Sequence, residues 1–124
     1  MWPFYQPIKV GEQMGKIESF SNRTFQKVYK KGKSYGNKLL VMYYVENDLH
    51  YNRLGITVSK KNGNSVVRHR IKRLIKESYR INAKKFISGY DIIFIARVGI
   101  ESSSFSQVES AVKHLMKKNN LVKK

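Results

Sequence analysis

The sequence predicts an α+β protein, a two-layer α/β sandwich in which a small mixed sheet is packed by helices. Three observations carry that expectation. Apolar residues recur at helical spacing in three stretches. In three others they alternate or run continuously, as strands do. Along the chain these stretches follow one another as helix, strand, strand, helix, strand, helix. At 124 residues with 41% hydrophobic side chains, the chain has the size of one domain and enough apolar material for a core. We read residues 1–18 as a partly ordered N-terminal arm and residues 19–124 as a single domain.

The arm holds aromatics, two Pro and two Gly without a period, and Trp2, Phe4 and Tyr5 are candidates to pack on the domain. Ser21 to Lys31 is the first predicted helix, capped by Ser21 or Asn22 and stopped by Gly32, with Phe25, Val28 and Tyr29 on one face. Leu39 to Val45 is a strand by its branched and aromatic content, so Tyr43 and Tyr44 point to opposite faces. Asn47 and Asp48 mark a turn, and Arg53 to Ser59 returns as a strand. There Leu54, Ile56 and Val58 face one way, Thr57 and Ser59 the other.

Lys60 to Asn64 is a basic loop with an Asn-Gly turn. Ser65 to Ile81 is the clearest helix: Val67, Ile71, Leu74, Ser78 and Ile81 gather on its apolar side. Arg68, His69, Lys72, Arg73, Lys76 and Arg80 sweep the opposite arc, and Arg70 lies at the apolar edge. Tyr90 to Arg97 is a buried strand with a continuous apolar run. Ser104 opens the last helix with a capping-box partner at Gln107 and a core stripe of Phe105, Val108, Val112 and Leu115. A fourth strand is expected either in residues 33–38 or in the arm.

The charge narrows the function. Lys and Arg exceed Asp and Glu by 25 to 8, a formal net charge of +17. Between Arg53 and Lys85 there are eleven cations against one acid, Glu77. A surface kept for solubility mixes its signs, so the expected partner is a polyanion, nucleic acid before an anionic membrane surface. The absence of Cys excludes disulfides, Cys-ligated zinc and thiol catalysis, and fits a reducing compartment. The start MWPFYQP does not read as a signal peptide, and the longest apolar run, Leu39 to Val45, is too short to span a membrane. Without a secretion signal, Asn22-Arg23-Thr24 reads as a chance match to a glycosylation acceptor.

Nothing in the chain looks equipped for catalysis. The eight acids are scattered; Glu46 and Asp48 are neighbours, but in a turn. His50, His69 and His114 stand on three separate elements without ligand spacing, and Gly32-Lys33-Ser34 lacks the earlier Gly of a phosphate loop. No catalytic residue and no metal ligand is expected. For binding, the arc of the long helix offers phosphate contacts, and its first amides, beside Lys60 and Lys61, form an anion site. Phe25, Tyr29 and Tyr43, with Thr57 and Ser59 as a polar floor, suit an extended single strand whose bases stack. Plain core packing is the competing reading for Phe25.

The string RLGITVSKKNGNSVVRHRIKRLIKESYR, Arg53 to Arg80, resembles the signature of the bacterial ribonuclease P protein subunit. FQKVYKKGKS upstream (Phe25 to Ser34) and DIIFIAR downstream (Asp91 to Arg97) match in order and spacing, so the resemblance covers roughly residues 22–118. The family's Arg-Asn-Arg triplet is Arg68-His69-Arg70 here, Ser65 stands where Ala is usual, and the arm is unlike the family's short basic start.

The resemblance implies a sheet with a left-handed β-α-β crossover, shared with some ribosomal-protein domains. It also implies a protein that joins a catalytic RNA in removing the 5′ leader from precursor tRNA. Arg53, Asn64, Arg68, Arg70, Lys72, Arg73 and Lys76 would contact the RNA subunit. Phe25, Tyr29, Tyr43, Lys60 and Lys61 would hold the leader. Mg2+ would sit in the RNA active site and no cofactor on the protein. The partners would be the RNA subunit and precursor tRNA, with neither a membrane nor an obligatory protein partner, in the cytoplasm.

Overall fold

The structure, a computed structural model, describes residues 5–7 and 22–124. Five strands form one sheet: β1 (Tyr5–Pro7), β2 (Lys33–Gly36), β3 (Leu40–Glu46), β4 (Arg53–Thr57) and β5 (Tyr90–Ala96), in the order β1-β4-β5-β3-β2. The helices are α1 (Asn22–Lys31), α2 (Ser65–Asn82) and α3 (Phe105–Lys118), with short 3-10 turns at Lys60–Asn62, Ala83–Lys85 and Ile100–Ser102. β4 and β5 are parallel neighbours, Arg53 beside Asp91 and Thr57 beside Ile95, and the chain between them runs through α2. That parallel pair makes the sheet mixed; the other pairs are antiparallel.

Alternation along the strands divides the core in two. On one face Leu40, Met42, Leu54, Ile56, Ile92 and Phe94 pack with Ile71, Ile75 and Tyr79 of α2 and Val108, Val112 and Leu115 of α3. On the other face Ile93 and Ile95 pack with Phe25 and Val28 of α1, flanked by Val41, Tyr43 and Val45. β5 is covered on both faces, which is why its sequence runs apolar without alternating. Each large aliphatic side chain buried this way contributes about 1.5–3 kcal/mol. Tyr43 and Tyr44 lie on opposite faces, as their alternation requires.

Two glycines carry local geometry. The amide of Gly32 closes α1 on Val28 O at 2.8 Å, and a Cβ there would lie 2.8 Å from Tyr44 O, so the turn from helix to β2 needs a residue without one. Gly63 has φ +133° and a side chain there would also meet Val67, so the start of α2 requires glycine twice over. The capping box of Ser104 and Gln107 forms as expected: Ser104 N donates to Gln107 Oε1 at 2.9 Å and Gln107 N to Ser104 Oγ at 3.3 Å.

The structure departs from the sequence expectations at several points. Both places expected to hide one strand form one: β2 at 33–36, and β1 in the arm, antiparallel to β4 with Tyr5 beside Thr57. The rest of the arm, including Trp2 and Phe4, and the expected cap Ser21 lie outside the described residues. β4 ends at Thr57, because Ser59 turns to cap the 3-10 turn.

On α2 the buried stripe is Ile71, Ile75, Ser78, Tyr79 and Asn82, while Ile81 is 51% exposed. Ile81 lies roughly 100° round the helix from the middle of that stripe. Asn82 turns inward instead, donating to Ser78 O and Glu109 Oε2. Phe105 is only half-buried.

Candidate nucleic-acid interface

The turn before α2 is built from side-chain hydrogen bonds. Lys61 N donates to Ser59 Oγ at 3.2 Å, and Ser59 N to Asn62 Oδ1 at 3.2 Å. The buried Asn62 amide donates to Arg97 O at 3.0 Å and Glu101 Oε1 at 3.3 Å, tying the turn to the segment after β5. Asn64 caps α2, its Oδ1 accepting from Val67 N at 3.0 Å. Arg68 donates to Gly63 O at 2.8 Å. The capping oxygen of Asn64 thus takes one of the amides expected to serve an anion, and its first role is to start the helix. Lys60 and Lys61 are exposed on this turn, three and four residues beyond Thr57.

From there the basic residues of α2 project from one rigid rod. Arg73 is exposed and Lys72 half-buried, and neither has an acidic partner among the described residues. Burial, then the Arg68 charge, pulls the Lys72 amine below its usual range. That cation stands among like charges and gains when an anion approaches. Arg70 reaches back to the segment before α3, donating to Glu101 O at 3.2 Å and Ser103 O at 2.9 Å. It clamps that segment to α2. Glu77, the one acid of the helix, pairs with Arg80. Hydrogen bonding to that guanidinium holds the carboxyl below its usual range.

Arg53 does not join this group. It lies on β4 with its guanidinium on Asp91, both contacts 2.7 Å, and Asp91 is buried. Asp91 shares its parity on β5 with Ile93 and Ile95, so the pair sits on the α1 face of the sheet, away from α2. Sequence proximity to the basic helix does not translate into a shared surface.

On that α1 face two of the expected aromatics, Tyr29 and Tyr43, come together. The Tyr29 and Tyr43 rings meet edge to face at 5.0 Å, both half-buried. The Tyr29 hydroxyl lies 3.5 Å from Thr57 Oγ1, joining α1 to β4. Burial pushes its phenol far above the usual range, so it stays protonated. Phe25 is 2% exposed, 5.2 Å beneath Tyr29. It is a core residue that props the cleft, not a stacking wall, because α1 turns it onto Ile93 and Ile95. Tyr29 and Tyr43 thus lie beside the Thr57 end of β4, with the turn bearing Lys60 and Lys61 beyond it.

The acids that make interactions hold structure: Glu77 on Arg80, Asp91 on Arg53 and Asn47, Glu101 on Gly99 N and Asn62, Glu109 on Asn82. Among the described residues no three His, Asp or Glu come together as metal ligands. Asp48 adopts φ +59° in the turn after β3, a conformation Asp tolerates. No helix among the described residues is long and apolar enough to cross a membrane.

A mixed sheet with a β4-α2-β5 crossover, one helix on one face and two on the other, and a cation-lined crossover helix define a small basic α+β protein of the kind that meets RNA. The sequence profile of the family Ribonuclease P matches residues 20–120. The ribonuclease P protein component of Alkaliphilus oremlandii is 55% identical over 82% of this chain and 89% of that protein. The one from Lachnoclostridium phytofermentans is 54% identical over 85% and 91%. The Staphylococcus aureus RNase P protein superposes with a TM-score of 0.77 at 36% identity, covering 83% of this chain and 94% of that one. The Thermotoga maritima RNase P protein gives 0.73 at 32% identity, over 77% and 91%. This chain belongs to the bacterial ribonuclease P protein family, and the expected fold is the observed one. Its place is in tRNA processing, as the protein part of an endoribonuclease with an RNA partner.

Proposed function

We propose that this protein binds the catalytic RNA subunit of ribonuclease P through α2 and the 5′ leader of precursor tRNA through the Tyr29–Tyr43 cleft, assisting removal of the leader in the cytoplasm. The observation that carries the reading is the placement of two different surfaces on opposite faces of one sheet, cationic on the α2 side and aromatic on the α1 side. A protein so built can hold two RNA segments at once.

On the α2 side, Arg68, Lys72, Arg73 and Lys76 neutralise phosphates of the RNA subunit and release its counterions. Arg70 and Asn64 keep that helix anchored while exposing their remaining donors. On the α1 side, Tyr29 and Tyr43 receive unstacked leader bases, and Lys60 and Lys61 take the adjoining phosphates. Arg53, pinned by Asp91, holds β4 and β5 together under the leader path. Mg2+ bound by the RNA supplies the phosphodiester chemistry. The polypeptide lowers the repulsion between two polyanions and fixes the leader in line.

Reconstitution tests this. The protein with a bacterial ribonuclease P RNA at low Mg2+ is expected to mature precursor tRNA, and the protein alone is not. Cutting by the protein alone, lost on changing Glu46 or Asp48, would make it a nuclease in its own right. Co-sedimentation with ribosomes, without stimulation of the RNA, would make it a structural RNA binder.

A further inference from the structure

Beyond both surfaces, the structure holds a cavity of about 530 Å3 at the C-terminal end of α2. That is within the roughly 300–1,000 Å3 of small-ligand sites. The β3–β4 connection contributes His50, Tyr51 and Asn52 to its wall, the end of α2 Tyr79, and the following segment Lys84 and Phe86.

Its inner end carries an unsatisfied donor. Asn52 Oδ1 accepts from Tyr90 N at 2.8 Å, which fixes the orientation of the amide. Asn52 Nδ2 then donates to Ile87 O at 3.0 Å and to Tyr79 Oη at 2.8 Å. Tyr79 is therefore the acceptor in that bond, and its own proton has no acceptor among the described residues, although the residue is 2% exposed. Burial pushes the phenol up to about 12, so the proton stays in place. Leaving a buried O–H without an acceptor is costly, and a ligand that brings an acceptor atom recovers that cost.

The rest of the cavity gives that ligand its shape. The Phe86 ring lies 5.1 Å from the Tyr79 ring, an aromatic floor beside the hydroxyl. At the rim, the exposed Lys84 and Lys123 have no acidic partner among the described residues. Lys123 is held there because the C-terminal residues pair with this segment: Phe86 bridges Val122, and Lys123 N donates to Lys85 O at 2.7 Å. An aromatic interior, one inward donor and two cations at the mouth describe a planar, acceptor-bearing ring attached to an anion.

We propose that this cavity binds an unstacked RNA nucleotide, its base accepting from Tyr79 Oη and its phosphate resting on Lys84 and Lys123. The inference builds on the reading that the protein meets RNA. The 18-residue helix leads to it: RNA following the basic arc from Arg68 to Arg80 runs about 18 Å along α2 and arrives at the cavity. Bases so extruded are read by stacking and edge hydrogen bonds.

The four 5′-ribonucleoside monophosphates, titrated into the isotopically labelled full chain, provide the test without any RNA subunit. At least one is expected to shift the amide resonances of Asn52, Tyr79, Ala83 and Phe86, whereas inorganic phosphate shifts only those around Lys84 and Lys123. Tyr79→Phe is expected to weaken the nucleotide about tenfold, the worth of one hydrogen bond. Ala83→Leu, which fills the cavity and leaves the phenol intact, is expected to abolish base-dependent shifts and serves if Tyr79→Phe fails to fold. Identical shifts with monophosphates and inorganic phosphate, or wild-type binding by Ala83→Leu, would overturn the site. No shift at all would leave the Tyr79 proton to a trapped water and overturn it equally. Nucleotide binding here with failed tRNA maturation would sink the proposed function and spare the site.

Discussion

In the proposed function the two faces of the sheet hold RNA by different physics. On the α2 face the ligand-facing groups are cations on a stiff helix, with one acid, Glu77, among them. On the α1 face they are two half-buried tyrosines, and the one guanidinium the strand offers is bound to Asp91. Attraction on the first face comes from counterion release and weakens steeply with salt. On the second, stacking on Tyr29 and Tyr43 adds a share that salt does not screen to the phosphate contacts of Lys60 and Lys61, so affinity falls less steeply with salt. A protein that works as proposed gains from this separation: changing ionic conditions moves the RNA-subunit affinity more than the leader affinity.

The largest break in that contrast is on the helix. Arg68→Ala with Arg73→Ala is expected to cost about 3 kcal/mol in RNA-subunit affinity, the worth of two charge-assisted hydrogen bonds. The log–log salt slope should flatten by about 0.7–0.9 for each phosphate that is no longer neutralised. Fluorescence titration across a salt series reads both, with thermal melting to check that removing the Arg68–Gly63 hydrogen bond has not loosened the turn. An unchanged slope would remove these residues from the interface.

Next in size is Asp91→Ala. It removes the carboxylate under Arg53 and is expected to destabilise the fold by about 2–3 kcal/mol in urea unfolding, less than a fully buried pair because Arg53 keeps water contact. If stability holds and RNA-subunit affinity rises, Arg53 belongs with the helix cations after all.

Tyr43→Ala then tests the other face. It is expected to cost about 1–3 kcal/mol in affinity for leader-bearing precursor tRNA, leave mature tRNA unchanged, and keep the salt slope. Equal loss for both ligands would mean damaged packing under Tyr29.

Why some of this is legible in the sequence and some is not follows from where each residue's partners lie. Strands β3, β4 and β5 announce themselves because their side chains meet a core on one face or both. The edge strand β2 is exposed along its whole length, so alternation carries no signal there. The basic arc of α2 is visible because charge is repelled from any core. Periodicity alone draws its apolar stripe toward Ile81, because the inward residues include Tyr79 and Asn82, whose side chains are held by Asn52, Ser78 and Glu109.

Residue type is enough to find Tyr29 and Tyr43. It also brings in Phe25, although the Phe25 ring is buried within the core and the Tyr29 ring, one turn further on the same face, is half-buried at its edge. Sequence distance groups Arg53 with α2, and only the parallel neighbour relation with Asp91 shows otherwise. Non-local pairings of this kind leave no local trace.

The smallest effect sharpens the comparison most cleanly. Glu77 is the one negative charge on the cationic helix, and its folded-state affinity for protons is lowered by the Arg80 guanidinium. A depressed carboxyl stabilises the fold above its unfolded pKa and loses that contribution as pH falls through the folded value. The pair lies at the surface, half-exposed to water, so Glu77→Gln is expected to cost no more than about 0.5 kcal/mol at pH 7. The difference from wild type should vanish on acidification below the ordinary glutamate value of 4.5, as thermal melting across pH would show. The same change removes the one negative charge from the basic helix. RNA-subunit affinity should therefore rise slightly and its salt slope steepen by less than one, while leader affinity on the far side of the sheet stays put. If Glu77→Gln moved leader affinity as much as RNA-subunit affinity, the two faces would not be independent, and the division of labour between charge and stacking would fail.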